Sequence, residues 1–350
     1  MAAGEIFVTG RLCLFGEHSD WAGGHRSADP ELSPGHCLVA GTEQGLRARF
    51  APGDDAFRIS SVLPDGTRRG PARFEIEVGA LERAARGDPF FGYAAGVAAE
   101  VVRRYPVRGL DLRILRSDLP VQRGLSSSAA TCVLVARAFG RAFGLGLGTR
   151  EEMELAYAGE RLAGSECGRM DQICAYGRRT LFLTFDGGDL EIEALDPGGE
   201  IALLVVDLRR GKDTRRILAD LNACFPDAPG ALAAGVREAL GPRNAALLHR
   251  ARRLLAAGDA RGLGELMTEA QALFDARVAP ACPELAAPRL HEVLASAAAR
   301  ELAWGGKGVG SQGDGCAQLV ARGREERDAL AARLEQEYQV ACLPLTLGVK

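Results

Sequence analysis

Apolar and polar positions along the chain predict strands and helices in mixed order. Residues 5–15 and 36–50 are apolar runs of strand character. Residues 72–78 and 110–116 alternate with period two, as half-buried strands do. Residues 90–104 predict a helix, as does the strongly apolar stretch from Ala129 to about Phe143. Thr149 and Glu152 have capping-box spacing ahead of a helix at about 150–163. Strands are expected at 180–186, 189–194 and 201–208. Beyond Asp207 the pattern turns helical, over 214–223 and 232–275. Pro280, Pro283 and Pro288 punctuate the connection to a helix at 289–300. A glycine-rich loop at 305–315 precedes a strand (316–321), a helix (323–337) and a strand (339–347). This order lacks steady βαβ alternation and predicts an α+β fold. Gly and Asp cluster at 187–200, so the expected domains are residues 1–190 and 191–350.

Composition narrows the class. A chain of 350 residues has room for two fused domains and a large core. Its net charge of -3 supplies no basic field for nucleic acid or an anionic membrane, and neither partner is expected. No apolar run approaches the ~18 residues that span a bilayer. The first residues lack the basic and apolar regions of a signal peptide. Nine cysteines without CxxC spacing sit mostly in apolar contexts, such as Cys13, Cys132, Cys316 and Cys342. They predict reduced core thiols of a cytoplasmic protein, with no zinc site. His25, His36, His249 and His291 show no metal-ligand spacing.

Four segments carry candidate chemistry. The first, Gly10 to Gly24, places Arg11, Glu17, His18 and Asp20 at the end of an apolar strand, where dense polar groups are costly unless something binds. The second, Leu119 to Ala130, runs from a strand into a helix through Gly124-Leu125-Ser126-Ser127-Ser128-Ala129. Small residues there let a bound anion approach free N–H groups at a helix start. A serine N-cap would need only one of the three serines. The third is Gly159 to Gln172, with Glu160 at a helix end and Asp171 after a glycine-rich turn. Each acid alone also fits a solvated surface position. The fourth, Lys307 to Cys316, spells G-x-G-x-x-G through Gly308, Gly310 and Gly313. No clear apolar strand precedes it and a strand follows, which disfavours a dinucleotide fingerprint. No Gly-x4-Gly-Lys-Ser/Thr occurs, so a P-loop kinase is excluded.

Taken in order, these segments resemble the signatures of the GHMP small-molecule kinases. The Gly-Glu-His-Ser-Asp-Trp run and Cys167-Gly168-Arg169-Met170-Asp171-Gln172 are most similar to the galactokinase type. The resemblance implies a two-domain GHMP kinase fold, with an N-terminal ribosomal-S5-domain-2-like part and a C-terminal ferredoxin-like α/β sandwich. It implies ATP and Mg²⁺ as cofactors and a small sugar as substrate. The expected reaction is transfer of the γ-phosphoryl group to a sugar hydroxyl, the anomeric C1 hydroxyl of galactose or a related monosaccharide. It assigns catalysis to Asp171 and Arg11 and sugar contacts to Glu17, His18, Asp20 and Gly168. ATP contacts fall to Gly124, Leu125, Ser126, Ser127, Ser128, Ala129, Gly310 and Ser311, and metal ligation to Ser128 and Glu160. A monomer or homodimer is expected.

Some residues depart from the family pattern. Gln122, Gln312 and Asp314 stand where glycines are expected, and Asp314 should point away from phosphates or contact the sugar. Lys212-Asp213-Thr214-Arg215-Arg216 lies where galactokinases carry a tyrosine, and it reads equally as a charged helix start. Cationic residues near the site, among Arg123, Arg169 and Lys212, would favour an anionic acceptor. Uronic acid, arabinose, a heptose phosphate or mevalonate are the alternative acceptors, and a non-catalytic sugar sensor is the alternative class.

Overall fold

The computed structural model describes residues 2–119 and 125–348. The chain forms two compact units, residues 1–11 with 41–178 and residues 12–40 with 179–350. A single cut at 190/191 therefore does not coincide with the units. The physical reason is that two long strands, β1 (Gly4–Phe15) and β2 (Gly35–Pro52), each begin in one unit and end in the other.

In the first unit, β3 (Ala56–Val62) pairs antiparallel with β4 (Arg68–Glu75) and parallel with β5 (Leu110–Ser117). The second half of β2 runs antiparallel to β5. The helices are α2 (Val78–Gly87), α3 (Gly92–Arg104), α4 (Ser127–Phe143) and α5 (Thr149–Leu162). Strand β4 ends earlier than the 72–78 alternation predicts. Glu77 instead caps α2, accepting from the N–H groups of Gly79 and Ala80. The cap of α5 also differs from expectation: Glu151, not Glu152, closes it, accepting from the Gly148 N–H at 2.8 Å. Glu152 is turned inward to Arg137. Helices α3 and α5 cross backbone to backbone at Gly96 and Gly159. A Cβ on Gly96 would lie 2.2 Å from the Gly159 carbonyl oxygen. Only glycine permits this approach, and Glu160 is the next residue.

In the second unit, the first half of β2 pairs with β6 (Thr180–Asp186), which pairs with β7 (Asp189–Leu195). A four-stranded antiparallel sheet runs β11 (Ala341–Leu347), β8 (Ile201–Asp207), β10 (Cys316–Ala321), β9 (Ala303–Gly308). All but the last residue of β8 are buried, which explains its continuous apolar run. Helices α10 (Pro288–Leu294), α11 (Ala297–Leu302) and α12 (Arg324–Tyr338) share a core with this sheet through Leu204, Val206, Leu290, Leu319, Leu330 and Leu334. The short α1 (Ser19–Gly24) and α6 (Thr214–Asn222), α7 (Ala231–Glu238), α8 (Asn244–Ala257) and α9 (Ala260–Arg277) complete the unit.

The expected helix over 232–275 is broken twice, by a π-type turn around Gly241-Pro242 and by Gly258-Asp259. The expected helix at 289–300 is split where Ser296 caps α11. The absence of a strand before the last glycine loop is corrected. Residues Ala303–Gly308 form β9 despite their glycines, because pairing with β10 satisfies their backbone. No described helix is long and apolar enough to cross a membrane.

Candidate active site

The first unit assembles Arg11, Asp171, Glu160 and Ser128. Arg11 lies near the middle of β1, and its backbone N–H donates to the Leu125 carbonyl at 3.4 Å. The first two signature segments thus meet directly. Asp171 opens a 3-10 turn, Asp171–Tyr176. Arg11 donates from Nε to Asp171 Oδ1 at 3.1 Å and makes a short ion pair to the same oxygen through Nη2. The Arg11 side chain is 4% exposed and that of Asp171 28%. A buried guanidinium therefore holds a carboxylate that still reaches solvent.

Neighbouring groups steady this turn. Arg137 of α4 donates to Glu152 Oε2 at 2.7 and 2.8 Å and to the Ala175 carbonyl at 2.8 Å. Thr9 Oγ1 donates to the Cys174 carbonyl at 3.4 Å. Neither support was visible in the motifs, because the partners lie far apart in sequence.

Glu160 is buried at the end of α5. Its Oε2 accepts from Gln172 Nε2 at 2.7 Å, and the Ser128 hydroxyl is also hydrogen-bonded to it. Burial pushes its carboxyl pKa up to about 7, and the charge of Asp171 adds to the rise. The bonds from Gln172 and Ser128, with the charge of Arg11, only partly oppose it. Ser126 adopts the left-handed region (φ 56°), and its buried Oγ has no partner. Ser127, Ser128 and Ala129 form the first turn of α4. Leu125 is buried beside them, Gly168 lies in the loop before the Asp171 turn, and Gly124, Gln122 and Arg123 lie outside the described residues.

The second unit gathers Glu17, His18, Asp20 and Ser311. Glu17 and Lys307 form a buried ion pair, with side chains 4% and 3% exposed, and Lys307 also donates to the Gly308 carbonyl at 2.9 Å. His18 is left-handed (φ 67°). Its Nδ1 accepts from Trp21 Nε1 at 3.2 Å, and its ring stacks on Phe274. Burial lowers its pKa to about 4, so the imidazole is neutral, and its buried Nε2 has no hydrogen-bond partner. A neutral ring accepting at Nδ1 carries its proton on Nε2, which makes His18 a donor without a well-formed hydrogen bond, with the Ser311 main chain as its neighbour. Asp20 is buried in the first turn of α1. Ser19 Oγ donates to the Leu240 carbonyl at 3.2 Å and accepts from Asn244 Nδ2 at 3.0 Å. The break at Gly241-Pro242 thereby anchors the Glu17–Asp20 segment.

Gly310 (φ 66°) and Ser311 lie in the turn between β9 and β10, where Gln312 takes a left-handed position (φ 63°). Asp314 accepts from the Leu290 N–H at 2.9 Å and so caps α10. Arg169 is engaged elsewhere, paired with Glu154 and lying over the Tyr157 ring.

Each candidate segment holds a strained residue or an unmet polar group. Ser126, His18 and Gln312 are non-glycine residues at positive φ. His18 Nε2, Ser126 Oγ, Gln172 Oε1 and Gln312 Oε1 are buried without partners. Such costs persist where a ligand repays them.

Residues 92–178 match the family model of the GHMP kinases N terminal domain. The galactokinase of Glaesserella parasuis serovar 5 (strain SH0165) is 26% identical over 195 residues, covering 53% of this chain and 45% of that protein. The chain spans about half the length of the curated relatives it matches. Lactococcus lactis galactokinase complexed with galactose superposes with a TM-score of 0.77 at 18% identity, over 99% of this chain and 94% of that one. Methanococcus jannaschii mevalonate kinase gives 0.73 at 15%, over 100% and 99%. These likenesses show the GHMP kinase fold, α+β with two sheets.

Proposed function

From the GHMP kinase N-terminal domain carried by residues 92–178, we propose that the chain is an ATP-dependent sugar kinase. Its acceptor is the anomeric C1 hydroxyl of galactose or a related monosaccharide. The observation that carries this reading is the Arg11–Asp171 pair beside buried Glu160 and the serine-rich start of α4.

The acceptor oxygen forms a bond to the γ-phosphorus as the bond to the β,γ-bridging oxygen breaks. ADP leaves with that electron pair. Asp171 takes the hydroxyl proton, and Arg11 holds Asp171 in place and stabilises the developing negative charge. The N–H groups at Leu125–Ala129 receive the triphosphate, with Gly124, Gly310 and Ser311 as further ATP contacts. Glu17, His18, Asp20 and Gly168 bind sugar hydroxyls. The neutral Nε2–H of His18 donates and the carboxylates accept.

Mg²⁺ fits the donor set. Glu160 and Ser128 are hard oxygen ligands, and a carboxylate left half-neutral by burial is one that a cation would stabilise. Among the described residues no cluster of three His, Cys, Asp or Glu is placed to hold a metal. This suits a cation bound by one or two side chains together with substrate phosphates. When bound, the ion neutralises phosphate charge.

A coupled ADP-release screen over hexoses, pentoses, uronic acids and mevalonate tests the function. Phosphorylation of mevalonate alone would remove the sugar reading. Asp20→Ala is expected to lower kcat/KM for the sugar by about one to two orders of magnitude, from loss of a charge-assisted hydrogen bond of roughly 1.5–3 kcal/mol. KM for ATP should stay within about twofold. Equal changes in both KM values would take Asp20 out of acceptor recognition.

Glu160→Gln is expected to raise the Mg²⁺ concentration needed for half-maximal activity. It should also change the pH dependence of stability. In wild type the folded-state pKa is raised from 4.5 to about 7, so the folded protein binds the proton more tightly and loses stability as pH rises through that window. The glutamine variant lacks this loss. Metal-free urea melts should favour it increasingly from pH 5 to 8, by on the order of 3 kcal/mol. Parallel pH curves together with superimposed metal titrations would take Glu160 out of metal binding.

A further inference from the structure

Arg137 lies in the middle of α4, and its side-chain hydrogen bonds all leave that helix. Nε and Nη2 donate to Glu152 Oε2 on α5 at 2.8 and 2.7 Å. Nη2 also donates to the Ala175 carbonyl at 2.8 Å, and Nη1 to the Phe7 carbonyl of β1 at 3.3 Å. The Arg137 side chain is 13% exposed and that of Glu152 11%, so water competes little for these bonds. A guanidinium can serve several acceptors at once because its N–H groups point in fixed, divergent directions.

Each of these acceptors belongs to an element that carries a candidate group. Strand β1 holds Phe7 and Arg11. Ala175 lies in the turn that Asp171 opens. Glu152 precedes Glu160 on α5 by about two turns. Helix α4 itself begins with Ser127, Ser128 and Ala129. All four elements lie in the first unit. One guanidinium therefore ties together the carriers of Arg11, Asp171, Glu160 and Ser128, although its own bonds go to none of those four residues. Apolar packing alone lets helices slide by fractions of an ångström, whereas bonds of defined length and direction do not.

We propose that Arg137 is a positioning residue for phosphoryl transfer. It sets how far the Asp171 turn and Glu160 stand from the start of α4, and hence from the transferred phosphoryl group. The inference rests on the kinase reading above and adds to it a residue outside all four signature segments. Phosphoryl transfer asks the protein mainly to place groups in line, and a misplacement of about 1 Å can lower the rate on the order of 10²-fold. The loss should appear in kcat, because Arg137 is assigned no contact with ATP or sugar.

The test separates positioning from stability. It uses ATP and whichever acceptor of the ADP-release screen wild type phosphorylates, D-galactose first. Arg137→Met alone strands Glu152, so it is combined with Glu152→Leu, which leaves no buried charge behind. An apolar pair in place of a buried ion pair is often neutral for stability. The double variant should melt in urea near the wild-type midpoint and bind ATP with wild-type affinity and stoichiometry. Its kcat per ATP-binding protomer should nevertheless fall about 10–100-fold, with both KM values within about threefold of wild type. Arg137→Lys keeps a charge opposite Glu152 but cannot reproduce the fork, so its kcat should lie between the two.

A stable double variant with kcat within about twofold of wild type overturns the inference and leaves the pair a structural tie. A fall in kcat matched by an equal fall in the ATP-binding fraction also overturns it, because folded enzyme is then what was lost. So do raised KM values at unchanged kcat. If the double variant does not fold, Arg137→Lys decides by the same criteria. Wild type that releases no ADP with any acceptor removes the kinase reading and this inference with it.

Discussion

Asp171→Asn is expected to lower kcat by ~10²–10⁴-fold, the usual contribution of a general base. The geometry makes this a clean substitution. Arg11 Nε and Nη2 both meet Oδ1 of Asp171, and the amide oxygen of asparagine can accept the same bonds. What disappears is the charge and the capacity to take a proton. Arg11 would then keep a hydrogen-bond acceptor there but lose the charge of Asp171, at a cost of about 1–2 kcal/mol, because the carboxylate side of the pair is partly solvated. The fold should survive, and ATP affinity, measured by equilibrium titration, should stay near that of wild type. A variant that keeps more than about a third of wild-type kcat would remove Asp171 from the role of base. Arg11→Lys offers a complementary reading. A lysine keeps the charge but cannot reproduce the forked contact, so its effect should be smaller than that of Asp171→Asn and should lie mainly in kcat.

Lys307→Met is expected to produce the largest loss of stability, about 3–5 kcal/mol. Lys307 and Glu17 are almost fully buried together. A cavity bounded by Phe15, Leu240, Phe274 and Val278 adjoins them. Removing the ammonium leaves a buried carboxylate without its ion-pair partner. Denaturant melts of the variant and wild type measure this loss directly. Lys307→Met with Glu17→Gln should regain much of the loss, because no unpaired charge remains. A single-variant loss below about 1 kcal/mol would mean that the pair does not anchor the Glu17–Asp20 segment. The pair also bears on function. It immobilises Glu17 one residue before His18, so sugar affinity should suffer in the single variant even where the protein remains folded.

Much of the fold was legible locally. The alternation at 110–116 and the apolar run at 201–208 became β5 and β8, because period two and full burial leave distinct marks on a strand. The misplaced pieces share one cause. The end of β4, the cap of α5 and the strand status of Ala303–Gly308 depended on bonds to residues that the local pattern did not include. Glycines at 305 and 306 argue against a strand by composition, yet β10 supplies the partners that make one. The helix expected over 232–275 is divided at Gly241-Pro242 and Gly258, and neither the division nor its consequence, the hold of Asn244 on Ser19, was part of that expectation.

The candidate site divides in the same way. The order of segments, the residue types within them and the resemblance to GHMP kinases were all present in the sequence. A short motif specifies its own turn and helix start, and these are local matters of sterics and free backbone donors. The pairings that give those residues their chemistry were not readable there. Arg11 meets Asp171 across 160 positions, Lys307 meets Glu17 across 290, and Lys212 meets the Gln312 carbonyl across 100. Such partners are chosen by packing, which the linear pattern does not encode pair by pair. Burial then decides the protonation of what is paired. It keeps His18 neutral and raises the Glu160 carboxyl, because removing water penalises charge by an amount that depends on every neighbour. The sequence by itself thus determined which groups are available and what local backbone presents them. Only the tertiary structure decided which of them are paired and which are left charged, because dielectric and distance are properties of the packed chain.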